Sequence, residues 1–330
     1  MFETVNLSNS QHSQIDYAIA GASGGFVSRA VVQPLDVVKI RFQLQVEPIQ
    51  TITDGKYKGI AQAIKCIYKE EGLKAFWKGH LSSQIQAVSF SLVQFSTYEL
   101  CKVYFWPLIS ESPSTGKSVL KSSKTFLLGS LAGSTATIFT QPFDVFRTRF
   151  AAQGEPKTYP NLSNAIIMII KTEGLRGLFR GLIPSLLLVA PQTGFQFFFY
   201  NLSNNVLTKF FKTKGKQDNL FGIHKIGILQ SALSGGIAGS MAKICVYPVD
   251  IIKKRMQVQG FEKARSKFGK LHVSKGVVKC IKVIFLVEGI GGYFKGLKTS
   301  VIKSFISLGL RFSVYEQVCN GILNLRDKIS

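Results

Sequence analysis

An acid and a base recur at one spacing after three prolines of this 330-residue chain. The stretches read PLDVVKIR from Pro34, PFDVFRTR from Pro142 and PVDIIKKR from Pro248. In each stretch the acid precedes the base by three positions, so a helix would place both on one face, where they can form an ion pair. Proline lacks an N–H and bends a helix, so each pair should lie beside a kink.

The composition favours a membrane protein. Lys and Arg number 41 against 18 Asp and Glu, and the formal net charge of +23 suits nucleic acid, an acidic membrane surface or an anionic solute. Yet 46% of the residues are hydrophobic, 26 are Phe, and the mean hydropathy is positive. A chain that is both basic and apolar suits a membrane better than nucleic acid, so we expect no nucleic-acid partner.

Nothing in the sequence indicates an enzyme. The five cysteines are scattered without a Cys-x-x-Cys pair and the four His are dispersed, which argues against a disulfide framework or a zinc site. The chain carries no recognisable nucleophile–base pair, metal cluster or phosphate-cradling loop. We therefore expect no catalytic residues, no metal and no cofactor.

Six segments approach the roughly 20 apolar residues that a membrane-spanning helix needs. They are 16–40, 81–105, 125–148, 182–207, 227–252 and 298–321. Polar residues such as Gln84, Lys243 and Arg311 interrupt them, and such groups are costly in a membrane unless they face a bundle interior or a water-filled cavity. Six interrupted spans predict a polar path through the protein.

Further features repeat with the acid–base motif, whose prolines are 108 and 106 residues apart. The first span of each pair carries a Gly-x-x-x-Gly, which permits close helix packing. These glycines are Gly21, Gly25, Gly129, Gly133, Gly235 and Gly239. Between the paired spans, a stretch with one apolar face predicts a short amphipathic helix that ends in Glu-Gly. An aromatic-basic-Gly triplet then precedes the second span.

Three copies of Pro-x-Asp-x-x-(Lys/Arg)-x-Arg, each followed by Glu-Gly-x-x-x-x-aromatic-(Lys/Arg)-Gly, resemble the signature of the mitochondrial carrier family. The resemblance covers about residues 14–325. It implies an all-α membrane protein with six transmembrane helices in three pseudo-symmetric repeats, 14–112, 122–212 and 224–325, each with a short amphipathic helix on the matrix side. It also implies one solute site that opens alternately to the cytosol and to the matrix.

The resemblance places the chain in the inner mitochondrial membrane. No Lys or Arg precedes Arg29 and an acid lies at Glu3, so we expect no cleavable leader. The connections within each pair of spans are the most basic, which puts them on one side and both termini on the other, in the intermembrane space. We expect a monomer, because the cavity forms within one chain.

The resemblance assigns the acid–base pairs to a matrix gate, in which neighbouring repeats pair and close the cavity. Its members are Asp36, Lys39, Asp144, Arg147, Asp250 and Lys253. In the family a glutamine four residues after the base braces such a pair. Gln43 and Gln257 occupy that position, whereas the second repeat has Ala151. We therefore expect two braces.

A second gate, the cytosolic gate, has the family pattern aromatic-acid-x-x-base on the second span of each pair. YELCK supplies a full set, whereas YNLSN lacks both charges and YEQVC lacks the base. The candidate members are Tyr98, Glu99, Lys102, Tyr200, Tyr315 and Glu316. With one acid–base set, closure at this end must rely more on hydrogen bonds and packing.

The predicted substrate site lies deeper in the spans. Arg29 precedes Asp36 by seven residues, two turns or about 10 Å along one helix face, and Lys243 is its equivalent in the third repeat. Residues at the same depth on the second spans occupy the positions at which the family contacts its substrate. The site would comprise Arg29, Gln86, Leu188, Val189, Lys243 and Lys303.

The aromatic-basic-Gly triplets are candidate lipid sites. The N–H groups at a helix N-terminus bind phosphate, and the resemblance implies cardiolipin, with the ring at headgroup level and the cation toward lipid phosphate. The residues are Trp77, Lys78, Gly79, Phe179, Arg180, Gly181, Phe294, Lys295 and Gly296. An ordinary interfacial anchor is the alternative.

Two stretches outside the general signature indicate the cargo. RTRFAAQGEPK from Arg147 and KKRMQVQGFEKARSKFGK from Lys253 resemble the family members that carry thiamine pyrophosphate. The implied cargo is a small anion, thiamine pyrophosphate or a related thiamine phosphate, with nucleotides as counter-substrates. The cations of the site suit a pyrophosphate, and its apolar pair suits a heteroaromatic ring. The alternatives are a carrier of adenine nucleotide or coenzyme A and an uncoupling-type proton conductor.

Overall fold

A computed structural model describes residues 14–47, 55–110, 117–214, 220–261 and 276–329. In chain order the helices are α1 (Gln14–Leu44), α2 (Ile60–Glu71), α3 (His80–Ser110), α4 (Lys117–Ala152), α5 (Leu162–Glu173), α6 (Leu175–Leu178), α7 (Leu182–Lys214), α8 (Leu220–Gln257), α9 (Val277–Glu288) and α10 (Leu297–Ile329). Two 3-10 turns span Leu73–Trp77 and Ile290–Phe294. The predicted all-α fold is confirmed, and each predicted span lies within one long helix. The leader prediction and the repeat boundary at 112 fall outside the described residues.

The six long helices form a closed ring in the order α1, α3, α4, α7, α8, α10. The most extensive contacts join α3 to α4, α7 to α8 and α10 to α1, so the repeats pack against one another along three seams. At the last seam the hydroxyls of Ser28 and Ser307 lie 2.9 Å apart. The ring encloses a central space into which polar residues of the helices can point.

Three prolines mark where helices converge. Pro34, Pro142 and Pro248 lie inside α1, α4 and α8. Beyond the prolines these helices meet in a buried apolar cluster that includes Val37, Ile40 and Ala151. The three C-terminal ends thus close one mouth of the ring and hold the acid–base residues together.

The glycines at which the first span of each repeat packs closely against a neighbouring helix are mostly not those of the predicted Gly-x-x-x-Gly motifs. Of the six predicted glycines, Gly133 is tightly packed: a Cβ added there would lie 2.9 Å from Val189 Cγ1. The other tight positions are Gly24, against the Arg311 carbonyl, and Gly236, against Leu308. The helix rotation at each seam selects the glycine that meets its neighbour, and the Gly-x-x-x-Gly spacing does not set that rotation.

The short helices bury equivalent residues in each repeat. These are Ala63 and Ile67 of α2, Ala165 and Ile169 of α5, and Cys280 and Ile284 of α9. The last glycine of each triplet has a positive φ and packs on the neighbouring repeat. At Gly79, with φ +81°, an added Cβ would lie 2.8 Å from the Arg147 carbonyl oxygen. The signature therefore requires glycine both for its conformation and for close approach.

Hydropathy alone identifies fewer spans than the six predicted. Within the part of the chain that the structure describes, two helical stretches are long and apolar enough to cross a membrane, Leu175–Leu207 and Ser234–Gln257. The other long helices carry more polar and charged residues, in keeping with a ring that surrounds a polar space. Six long helices are therefore present, while composition by itself supports two of them as spans.

Candidate functional site

The six acid–base residues after the prolines form three ion pairs. Each pair joins two repeats: Arg147 Nη2 to Asp36 Oδ2 at 2.8 Å, Lys39 Nζ to Asp250 Oδ2 at 3.0 Å, and Lys253 Nζ to Asp144 Oδ2 at 2.8 Å. All three aspartates are buried. Together the pairs form a closed cycle across the mouth where α1, α4 and α8 converge.

Each aspartate also holds a second cation. Lys303 Nζ lies 2.5 Å from Asp36 Oδ1, Lys243 Nζ lies 3.4 Å from Asp250 Oδ2, and Lys254 Nζ lies 2.9 Å from Asp144 Oδ1. The sequence predicted Lys243 and Lys303 at helix positions about 10 Å from the gate, and it did not foresee that their side chains reach the gate aspartates. Their helix positions differ in depth, but a long lysine side chain spans much of that interval.

Two glutamines contact the pairs, at the predicted brace positions. Gln43 Nε2 donates to Asp250 Oδ2 at 3.2 Å, and Gln257 Nε2 donates to Asp144 Oδ2 at 2.7 Å. Ala151, the equivalent in the second repeat, is buried in the apolar cluster between α1 and α8. Two of the three ion pairs therefore receive a hydrogen bond from a glutamine amide. The third pair, that of Asp36, has no glutamine at the brace position, and Lys303 is its additional contact.

A second layer of charge lies next to the cycle and was missed by sequence reasoning. The last arginine of each acid–base motif forms a bidentate pair with the glutamate of Glu-Gly in the same repeat, and the triplet base pairs with that same glutamate. The sets are Arg41, Glu71 and Lys78; Arg149, Glu173 and Arg180; and Arg255, Glu288 and Lys295. We call these the three clamps. The constant position of this arginine in all three motifs was the available signal.

The clamps also connect neighbouring repeats. Arg41 Nε donates to the Ala151 carbonyl at 3.1 Å, Arg149 Nε to the Gln257 carbonyl at 3.1 Å, and Arg255 Nε to the Gln43 carbonyl at 3.1 Å. These hydrogen bonds link repeat 1 to repeat 2, repeat 2 to repeat 3 and repeat 3 to repeat 1. Because a helix C-terminus leaves carbonyls without helical partners, these arginines satisfy groups that would otherwise be orphaned.

The charges of a clamp perturb its carboxylate. At Glu71 burial opposes ionisation, but hydrogen bonds and charges from Arg41 and Lys78 outweigh it and hold the pKa below the usual value for glutamate. Arg41 is almost wholly buried, and its Nη1 donates to the Tyr57 hydroxyl at 3.0 Å. The Glu71 carboxylate is thus ionised at neutral pH, which suits a permanent structural link.

Two cavities lie inside the ring, on the far side of the ion-pair cycle from the clamps. One, of about 630 Å³, is lined by residues of α3, α4, α7 and α8, and the other, of about 560 Å³, by residues of α7, α8 and α10. Gln192, Gln196 and Lys243 line both, so the two form one continuous space. Asp250 and Lys253 line the first, so this space ends at the ion pairs.

Four of the six predicted substrate residues line this space, and Arg29 and Gln86 lie near the ion pairs. Leu188 and Val189 line the first cavity and Lys303 lines the second. Gln86 Oε1 accepts a hydrogen bond from Arg147 Nη1 at 3.4 Å, so it lies beside the ion pairs. Arg29 is half-buried on α1 and close enough to Asp36 and Arg147 to interact electrostatically with both.

Arg311, to which the sequence assigned no role, lines the second cavity. It shares that wall with Lys243 and Lys303. Its guanidinium therefore adds a third cationic group to the space that α7, α8 and α10 enclose. The spacing of eight residues from Lys303 is compatible with one face of α10, but the shared wall with Lys243 depends on how α8 and α10 pack, which the sequence does not give.

The predicted cytosolic gate is not assembled. Glu99 Oε2 and Lys102 Nζ lie 3.7 Å apart on the same helix, and both are well exposed. Tyr98 lines the first cavity, Tyr200 lies on α7, and Tyr315 and Glu316 lie on α10. Among the described residues, no ion pair joins these predicted members on different helices. Over the described ranges of the chain, ion pairs between helices are thus present at the ion-pair cycle and absent among the predicted members at this end.

In the aromatic-basic-Gly triplets, the direction of the basic side chains differs from the predicted lipid site. Their bases point inward, since Lys78, Arg180 and Lys295 all pair with clamp glutamates, so the predicted orientation toward lipid phosphate is wrong. A buried carboxylate competes with solvent for a nearby cation and holds it. The aromatic rings of Trp77, Phe179 and Phe294 are partly exposed, in keeping with the predicted interfacial position.

Comparisons with known proteins agree with this architecture. The family model described as mitochondrial carrier protein matches residues 10–107, 118–211 and 224–325. A mitochondrial thiamine pyrophosphate carrier of Bos taurus is 38% identical over 315 residues, covering 95% of each chain. The Homo sapiens protein of that name is 39% identical over 312 residues, covering 94% of this chain and 92% of its own. A mitochondrial thiamine diphosphate carrier 1 of Zea mays is 36% identical over 323 residues, covering 92% and 93%.

Proposed function

We propose that this chain, which belongs to the mitochondrial carrier family, transports thiamine pyrophosphate across the inner mitochondrial membrane. The observation that carries the proposal is a central cavity that combines four basic residues with aromatic and apolar walls and ends at a closed cycle of ion pairs. The names of the similar proteins support the same cargo. The reaction is movement of a solute, without a catalytic step.

The cavity chemistry supports a pyrophosphate. Lys243, Lys303 and Arg311 line one continuous space, and a pyrophosphate needs several cationic donors at once. The planar guanidinium of Arg311 presents several N–H donors that suit phosphate oxygens. Leu188 and Val189 add an apolar surface for a ring.

The ion-pair cycle acts as the matrix gate, and cargo and gate share two lysines. Lys303 contacts Asp36 and Lys243 contacts Asp250 in this structure. A pyrophosphate that binds both lysines draws them away from these aspartates and leaves Asp36 and Asp250 with one of their two cations each. Binding energy of the cargo thereby lowers the barrier to opening, because a ligand shifts a conformational equilibrium only through differential contacts.

The closed and open ends support alternating access. In this conformation the cavity is shut toward the clamps and open at the end of Glu99 and Lys102, which we assign to the cytosolic side. Both chain termini then lie in the intermembrane space. Nucleotides are the counter-substrates. Cardiolipin binds on the outer surface at the N-termini of the helices that follow the aromatic-basic-Gly triplets. The monomer is the working unit, since every cavity residue comes from one chain.

Uptake of labelled thiamine pyrophosphate into proteoliposomes, with and without internal nucleotide, tests the proposal. We expect nucleotide-dependent uptake that falls by at least about tenfold in Lys303→Ala, the effect of losing ~1.4 kcal/mol of binding. Lys298→Ala is the matched control, because Lys298 lies on the same helix but is exposed. It should leave uptake unchanged.

The rival functions give different outcomes in the same vesicles. Protein that imports no thiamine pyrophosphate but exchanges ADP or coenzyme A would contradict the cargo and leave the family intact. A fatty-acid-activated proton conductance without solute exchange would identify an uncoupling-type protein.

A further inference from the structure

The walls of the cavity differ in chemistry from one side to the other. Every basic residue that lines the two cavities belongs to the third repeat: Lys243, Lys253, Lys303 and Arg311. Every aromatic residue that lines them belongs to the first or second repeat: Phe90, Phe95, Tyr98, Phe126 and Phe197. A cargo with an anionic group at one end and a ring at the other would therefore lie across the cavity in one orientation.

Three amides lie on or beside the aromatic wall. Gln192 and Gln196 are one turn apart on the same face of α7, and Gln94 lies opposite on α3. The two glutamines of α7 are exposed to the cavity. They line both cavities together with Lys243, so they lie at the boundary between the cationic and the aromatic wall.

We propose that Gln192 and Gln196 form a subsite that recognises the aminopyrimidine ring of the cargo and thereby determine specificity. The inference rests on the proposed function, which it deepens. A primary amide has one donor and one acceptor side by side, and an amino group next to a ring nitrogen has the complementary pair. Glutamine reads adenine through the same arrangement. Pyrophosphate on Lys243 and Lys303 leaves the ring on the side of these amides.

The subsite explains how a carrier with common gate motifs selects its cargo. The lysines bind any pyrophosphate, so they cannot separate thiamine pyrophosphate from other phosphate esters. An aromatic wall holds any flat ring by stacking. Directed hydrogen bonds discriminate between rings, because a ring with the wrong pattern leaves the amides and its own polar groups without partners.

A pair of probes isolates this hydrogen-bond pattern. Oxythiamine pyrophosphate keeps the pyrophosphate and the ring system but replaces the amino group with oxygen. We measure how strongly it and unlabelled thiamine pyrophosphate each inhibit uptake of labelled thiamine pyrophosphate. Wild-type protein should prefer thiamine pyrophosphate by at least about fivefold, the lower end of discrimination by a bidentate amide pair.

The test variant is Gln192→Leu with Gln196→Leu. The preference between the two probes should fall to near one, while inhibition by inorganic pyrophosphate stays unchanged. Lys303→Ala is the control for the opposite wall: it should weaken all three inhibitors together and leave the preference between the two ring probes intact. Thermal unfolding of each purified variant checks that the fold is retained.

The outcomes separate the two proposals. A double variant that still imports thiamine pyrophosphate with the wild-type preference would overturn the ring subsite and leave the cargo assignment standing. A wild-type protein that treats both probes alike would also overturn it. A wild-type protein that imports neither probe would overturn the proposed function, and the subsite with it.

Discussion

The two ends of the helical ring differ in how they use charge. At the end of the ion-pair cycle, the side chains of Asp36, Asp144 and Asp250 are 4% to 6% exposed, and each contacts two cations. At the other end, the side chains of Glu99 and Lys102 are 65% and 53% exposed, and they pair within one helix. Within the part of the chain that the structure describes, one end therefore joins the repeats through charge, whereas the predicted pair at the other end stays within one helix.

This difference shows which ion pairs contribute most to the stability of the fold. Exposed pairs contribute about 0–1 kcal/mol, whereas breaking a buried pair costs about 3–5 kcal/mol because it leaves a charge uncompensated. The clamps are buried and link each repeat to the next through backbone carbonyls. We infer that the clamps hold the repeats together throughout the transport cycle, while the ion-pair cycle, which the cavity lysines touch, is the part that opens.

Removing a clamp arginine should have the largest effect. Arg149→Leu leaves Glu173 with one remaining partner, Arg180, and removes the donors to the Gln257 and Gln259 carbonyls. We expect a loss of about 3–5 kcal/mol in the free energy of unfolding. The midpoint of thermal unfolding in detergent measures it. Arg176→Leu, an exposed arginine in the same region, is the matched control, and equal unfolding midpoints for the two variants would contradict the clamp.

Weakening the ion-pair cycle should reduce transport. Asp36→Asn keeps the shape of the side chain but removes the charge that Arg147 and Lys303 share. We expect the initial rate of uptake to fall by more than about tenfold, which corresponds to ~1.4 kcal/mol, because the conformation that receives the cargo loses part of the cycle that stabilises it and is less populated. Glu99→Gln removes a carboxylate from the open end and should change the rate by less than twofold, since an exposed pair contributes little. If both variants transport alike, the two ends do not differ as inferred.

Of the three test variants, the one that adds charge to the end of Glu99 and Lys102 should produce the smallest change. Asn201→Glu with Asn204→Lys gives α7 the acid and base that α3 already has at Glu99 and Lys102. When the cytosolic end closes, the new residues can pair with neighbouring helices and stabilise the closed form by about 1 kcal/mol, which slows uptake by up to about fivefold. Rate measurements at low and high salt distinguish this effect, because salt screens exposed pairs. A rate unchanged at both salt concentrations would contradict the prediction.

The sequence by itself determined the repeats and the all-α fold. Helical spacing dictates that the acid and the base of each motif, three residues apart, share a face, and the motif occurs three times. The pairing between repeats and the two glutamine braces were implied by the resemblance to the mitochondrial carrier family. A sequence specifies geometry within one helix directly, whereas contacts between helices depend on how the helices pack.

The tertiary structure decided what each cation touches. Lys243 and Lys303 contact the gate aspartates, and the triplet bases turn inward to clamp glutamates, because a long side chain goes to the nearest buried carboxylate. The tight glycines and the open end were likewise settled by how the helices rotate and tilt against one another. A sequence specifies which face of a helix is polar, but helix packing specifies which neighbour that face meets.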